Sequence, residues 1–158
     1  MHKKEQLLSV HPIEPGGEYI ISGIRDIPAG FPNISQDYLA DPIDLIKELI
    51  QHPDATHYAR IRGDSMKDAG LEKDDILLVD GVKEYENGAM AVCVVDGEFT
   101  IKYLNTSQLK EGIIWLMPDN PDYPPIKVTE DQEFTILGTV IKVIKTPKKK
   151  HFTNDSIG

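Results

Sequence analysis

Ala89-Met90-Ala91-Val92-Cys93-Val94-Val95-Asp96-Gly97-Glu98-Phe99-Thr100-Ile101-Lys102-Tyr103-Leu104 reads as two strands joined by a turn. Ala89 to Val95 is the longest apolar run in the chain and has the length of a strand. A membrane-spanning helix would need roughly 18 such residues. Asp96-Gly97 is a two-residue connection whose residues tolerate the left-handed backbone of a tight hairpin. Past the turn, side chains alternate: Phe99, Ile101 and Tyr103 on one face, Thr100, Lys102 and Leu104 on the other. This hairpin sets the class of the fold, and the rest of the chain agrees with it.

Working outward, Thr56–Arg62 alternates, Asp75–Asp80 carries Ile-Leu-Leu-Val, and Ile113–Met117 and Phe134–Lys145 complete about six strands. Short strands separated by turn residues predict a mainly β domain, a closed or nearly closed antiparallel structure. One short amphipathic helix is expected from Asp41, with Asp41 as N-cap, Pro42 at the first helical position and His52-Pro53 as the stop. Its buried face would be Ile43, Ile46, Leu49 and Ile50. Residues 1–40 are broken by Pro12, Pro15, Gly16, Gly17, Gly23, Pro28, Gly30 and Pro32, so they read as a flexible N-terminal arm. Only Glu18–Ile24 could be a strand there, and no helix-turn-helix reader fits. The expected organisation is an arm over 1–40, a β domain over 41–146 and a disordered Lys-rich tail over 147–158.

Composition bounds the function. The chain has 158 residues, the size of one ordinary domain, with 17 Lys+Arg against 26 Asp+Glu and a formal net charge of −9. That balance argues against a protein that grips nucleic acid through a broad basic face. Apolar residues at 40% support a core rather than a disordered chain. The single cysteine, Cys93, excludes an internal disulfide framework and any multi-thiolate zinc site. At the N-terminus Ser9, His11 and Pro12 interrupt the apolar stretch well before the roughly 7–15 residues of a secretory signal. A soluble protein of the reducing cytoplasm is expected.

Two positions carry candidate chemistry. Gly63-Asp64-Ser65-Met66 follows the strand Thr56–Arg62, and a serine on such a turn can present its hydroxyl beside backbone N–H groups. A plain turn serine fits the same four residues. Lys102 sits in mid-strand, where a lysine either snorkels from an outer face or is buried. A buried amine loses the hydration of its charged form, and the neutral amine could take a serine proton. Both readings stand on the residues alone. His57 precedes Ser65, but no aspartate stands in a recognisable relation to it. His2, His11, His52 and His151 lie in arm, helix end or tail, and no pair has metal-ligand spacing. Cys93 reads as an inert strand residue. No metal and no cofactor are expected.

Gly63-Asp64-Ser65-Met66 resembles the nucleophile motif of the LexA/UmuD family of self-cleaving serine–lysine peptidases. Asp96-Gly97-Glu98-Phe99-Thr100-Ile101-Lys102 resembles its lysine motif, and the 37-residue separation of Ser65 and Lys102 is similar to the family's. Ala29-Gly30, ahead of Phe31-Pro32, resembles its cleavage site. The second pair, Ala69-Gly70, falls four residues past the nucleophile, a position that is part of the fold in the family. Further segments, among them Gly30-Phe31-Pro32, Ile50–Thr56, Asp75–Asp80, Pro118-Asp119-Asn120 and Gly138–Ile141, look like the UmuD-type members. These are accessory subunits of error-prone polymerases rather than LexA-type repressors. The likeness covers about residues 28–145.

The resemblance implies a LexA/UmuD-type β fold and an autocatalytic serine endopeptidase. Ser65 would be the nucleophile and Lys102 the general base, with backbone N–H groups of Asp64 and Ser65 as the oxyanion hole and Ala29-Gly30 as the bond cut. It also implies a cytoplasmic homodimer that answers a RecA filament on single-stranded DNA and serves a Y-family polymerase in translesion synthesis. The absence of a DNA-reading helix pair in residues 1–40 favours that branch. A self-cleaving regulator or antirepressor acting through a partner repressor is the alternative. A β-rich binding module with a structural serine and lysine is a third. Cleavage at Gly30 would remove residues of net charge −1, leaving an acidic core at −8.

Overall fold

The computed structural model describes residues 7–12, 20–24 and 39–158, with side chains from Pro42 onward. Among these, the strands are β1 (Leu7–Pro12), β2 (Ile20–Ile24), β3 (Leu39–Asp44), β4 (Thr56–Ile61), β5 (Ile76–Asp80), β6 (Met90–Val95), β7 (Glu98–Asn105), β8 (Ile114–Met117), β9 (Ile126–Val128) and β10 (Phe134–Ile144). One sheet holds eight of them, all pairs antiparallel, in the order β1-β4-β5-β10-β6-β7-β8-β9. β2 and β3 form a separate antiparallel pair.

The Ala89–Leu104 hairpin is present as β6 and β7. Asp96 (φ 47°) and Gly97 (φ 83°) both take positive φ, which matches the twist of the flanking strands. β10 is the strand that joins the two halves of the large sheet. Its first half pairs with β6 and its second with β5, with register shifts at Ile136/Gly138 and Val140/Lys142. Such bulges bend a strand and increase its twist, which curls the sheet. At Gly138 the backbones approach so closely that a Cβ would lie 2.6 Å from the carbonyl oxygen of Asp80.

β7 is buried on both faces at Thr100, Ile101, Lys102 and Leu104, with Tyr103 half-buried. Ile101 joins Ala59, Ile61, Met66, Leu71, Leu77, Val79 and Val92 in one core cluster. Leu104 joins Ala91, Cys93, Leu116 and Val128 in another. Lys102 stands opposite Ala91 and Thr100 opposite Cys93, so both point to the face of the second cluster. The alternation read from the sequence is therefore correct, but around Ile101 and Lys102 both faces are buried.

The helix differs from the expectation. The extended backbone of β3 runs through Pro42 to Asp44, because Ile43 and Asp44 are taken up in pairing with Ile21 and Ile20. Helix α1 is only Leu45–Leu49, and Asp44 rather than Asp41 is its N-cap, accepting from the N–H groups of Ile46 and Lys47. Of the expected buried face only Ile50 is in the interior; Ile43 and Ile46 are 39% and 45% exposed. His52 then ties this segment down: its Nδ1 lies 2.6 Å from Asp80 Oδ2, and its carbonyl accepts from Thr56 Oγ1 at 2.7 Å. Burial alone would raise the Asp80 carboxyl. Hydrogen bonds from His52 and from the N–H groups of Val82 and Lys83 outweigh it and hold the carboxyl below its ordinary value.

Two strands of the segment read as an arm are paired. β2 falls inside the expected Glu18–Ile24 strand, whereas β1, on the edge of β4, had no clear sequence signal. The division at residues 40/41 falls within β3. The tail over 147–158 is exposed throughout and carries a 3-10 turn at Asn154–Ser156, capped by Thr153. No described helix is long and apolar enough to cross a membrane.

Candidate active site

Ser65 lies on the turn that follows β4. Lys67 N–H donates to the Asp64 carbonyl at 3.0 Å, and a 3-10 turn over Lys67–Ala69 ends at Gly70 in left-handed backbone. The Ala69-Gly70 pair is thus consumed by a turn of the fold. Met66, 1% exposed, inserts into the first core cluster and draws its neighbour Ser65 to full burial.

β7 brings Lys102 to the same point. Its Nζ lies 2.8 Å from Ser65 Oγ, 2.7 Å from Thr100 Oγ1 and 3.1 Å from the Ile101 carbonyl oxygen, and the residue is 3% exposed. The structure therefore buries Lys102 rather than letting it snorkel. An ammonium can donate to all three oxygens. A neutral amine has two N–H bonds and one lone pair. Thr100 Oγ1 and the Ile101 carbonyl can then accept the two N–H groups, which leaves the lone pair for the Ser65 hydroxyl proton. This arrangement can activate a nucleophile.

A third segment, Pro118–Tyr123, closes over the serine turn. Asp119 N–H donates to the Ser65 carbonyl at 3.0 Å, and Asp68 N–H donates to the Asp119 carbonyl at 2.8 Å. Asn120 Nδ2 donates to the Asp64 carbonyl at 2.8 Å, and the Tyr123 hydroxyl donates to the Asp64 carboxylate. Burial, and then the nearby charge of Asp119, push the Tyr103 phenol above its ordinary value.

Of the residues singled out in the sequence, Ser65 and Lys102 come together, and Asp64 belongs to the same turn. Ala29 and Gly30 lie outside the described residues. His57 stands opposite Val79 on β4, and Cys93 is fully buried. Burial pushes the Cys93 thiol up to about 12 against the opposing pull of the Lys102 charge. Sequence reading gave no role to Thr100, Asn120 or Tyr123. Thr100 was visible as the residue two before Lys102 on the same strand face. The polar, proline-rich run Pro118–Pro125 was legible as a loop, but nothing local says that it folds over a turn more than fifty residues earlier.

The peptidase S24-like family pattern matches residues 20–141. Protein SamA of Salmonella typhimurium is 40% identical over 114 residues, covering 72% of this chain and 79% of SamA. LexA repressor 1 of Pseudomonas syringae pv. tomato is 33% identical over 123 residues, 77% of this chain and 59% of the repressor. The LexA repressor of Bordetella petrii is 33% identical over 131 residues, 82% of this chain and 56% of the repressor. The chain thus spans about three-fifths of these two repressors' length. With the family pattern covering most of the chain, and relatives at 33–40% identity over more than two thirds of it, the chain belongs to the peptidase S24-like family, that of LexA and UmuD.

Proposed function

We propose that the chain is an autocatalytic serine endopeptidase of UmuD type that cuts its own Ala29–Gly30 bond. The observation that carries this reading is the buried 2.8 Å contact between Lys102 Nζ and Ser65 Oγ. Neutral Lys102 takes the Ser65 hydroxyl proton, and Ser65 Oγ attacks the carbonyl carbon of Ala29. Backbone N–H groups of Asp64 and Ser65 hold the oxyanion. The C–N bond then breaks, and Lys102 returns the proton to the departing amine of Gly30. Water hydrolyses the acyl-enzyme by the same proton path, freeing residues 1–29 and regenerating Ser65. Neither a metal nor a cofactor enters this sequence.

The higher identity to SamA than to the two LexA repressors, together with the UmuD-like segments, supports the polymerase-accessory branch. In this reading a RecA filament on single-stranded DNA promotes the cut in the cytoplasm during the SOS response. The processed homodimer then serves a Y-family polymerase in translesion synthesis. The LexA-type reading, a regulator acting through a partner repressor, draws on the repressors among the relatives. Two experiments separate them. Activated RecA filament should accelerate loss of residues 1–29 from the wild type and leave Ser65→Ala intact. The processed chain should then retain a polymerase subunit on affinity capture; capture of a repressor instead would favour the alternative. An intact wild type with RecA filament present would overturn the peptidase reading.

A further inference from the structure

The Pro118–Tyr123 loop grips the backbone on both sides of Ser65. The Asp64 carbonyl already accepts the Lys67 N–H of its own turn, so the bond from Asn120 Nδ2 is additional to what the turn requires. Asn120 is 4% exposed, and its own Oδ1 accepts the Asp122 N–H at 2.9 Å, which fixes the amide's orientation from within the loop. One residue earlier, Asp119 N–H holds the Ser65 carbonyl. Two successive carbonyls are therefore anchored by two successive loop residues.

We propose that Asn120 is a positioning residue for the cleavage reaction, acting on the peptide plane between Asp64 and Ser65. A trans peptide is planar, so its N–H points opposite to its C=O. Anchoring the Asp64 carbonyl thereby fixes the direction of the Ser65 N–H, one of the two donors assigned to the oxyanion. The Asp119 bond fixes the next plane, so the Ser65 Cα is held between two anchored peptides. The side chain is left with rotation about χ1, which the contact with Lys102 Nζ settles. Preorganised donors do most when they need no reorientation as charge develops. This assignment rests on the reading of Ser65 as nucleophile.

The test compares wild type, Asn120→Ala and Asn120→Asp. The aspartate variant is isosteric and keeps an acceptor for Asp122, but its carboxylate cannot donate to the Asp64 carbonyl. First-order self-cleavage is followed across pH and normalised to the folded fraction from circular dichroism. Labelling of Ser65 by a fluorophosphonate is measured in parallel. Both variants are expected to lower the alkaline plateau rate by about ten- to a hundredfold, below the loss from deleting an oxyanion donor outright. Labelling should slow in step, while the pH midpoint of cleavage stays that of the wild type. A folded variant that cleaves within twofold of wild type would overturn the assignment. So would a midpoint shifted from the wild type's, which would mean that Asn120 acts on proton transfer rather than on the oxyanion donor, and so would unfolding of both variants, which would make it a folding residue. A wild type that neither cleaves nor labels would instead refute the nucleophile reading itself.

Discussion

Thr100→Val tests how the amine of Lys102 is aimed. The change is nearly isosteric and removes a hydroxyl 2.7 Å from Nζ, leaving Ser65 Oγ at 2.8 Å and the Ile101 carbonyl at 3.1 Å. In the neutral amine one N–H would then lack its shorter acceptor. The amine could turn so that an N–H, rather than the lone pair, faces Ser65. A buried hydrogen bond of this kind contributes about 1–1.5 kcal/mol net. If that energy holds the reactive orientation, its loss lowers the rate roughly tenfold, since 1.4 kcal/mol is a factor of ten. Thr100 is 7% exposed and faces the cluster containing Cys93, so the added methyl gains contacts that offset the lost bond. Stability should change by no more than about 1 kcal/mol. The assay is the first-order rate of self-cleavage by mass spectrometry, with urea denaturation alongside. A rate within twofold of wild type would refute the argument, as would a loss that merely tracks unfolding.

Gly138→Ala should destabilise by about 1–3 kcal/mol in urea, because its Cβ would meet the Asp80 carbonyl where β5 and β10 cannot separate. The Asp80 carboxyl is held below its unfolded value, so its contribution is full above the ordinary carboxylate range and is lost as pH falls through the folded value. The urea midpoint should therefore drop on acidification below about pH 4, and Asp80→Asn should flatten that part of the profile. The proposed cut at Gly30 would sever the segment that carries β1 from β4, its pairing partner. In the processed chain the amides of Thr56–Ile61 that face β1 should exchange with deuterium faster than in Ser65→Ala, with the β6–β7 amides unchanged.

The β class and the two residues that meet at the candidate site, Ser65 and Lys102, were legible because their signals are local. The Asp96-Gly97 turn set the β6–β7 register, and that register fixed the face of Lys102. The turn serine after β4 was visible from Gly63 onward. The helix start was misplaced because Asp41-Pro42 and Asp44 both satisfy capping chemistry. The choice between them is made by pairing with β2, a tertiary contact. β9 was missed for its three residues, too few to show alternation. β1 was missed because its pairing partner, β4, lies more than forty residues further along the chain. The same non-locality hid the contacts of Asn120 and Tyr123, which form only once the loop closes over Asp64.

The central claim is most directly tested by the intact mass of the purified chain after incubation at mildly alkaline pH, where lysine amines begin to lose their proton. The account predicts loss of residues 1–29 and a new N-terminus at Gly30. It also predicts no cleavage in Ser65→Ala or Lys102→Ala, nor in Lys102→Arg, whose guanidinium stays protonated. An intact wild type, or cleavage that survives in Ser65→Ala, would contradict it.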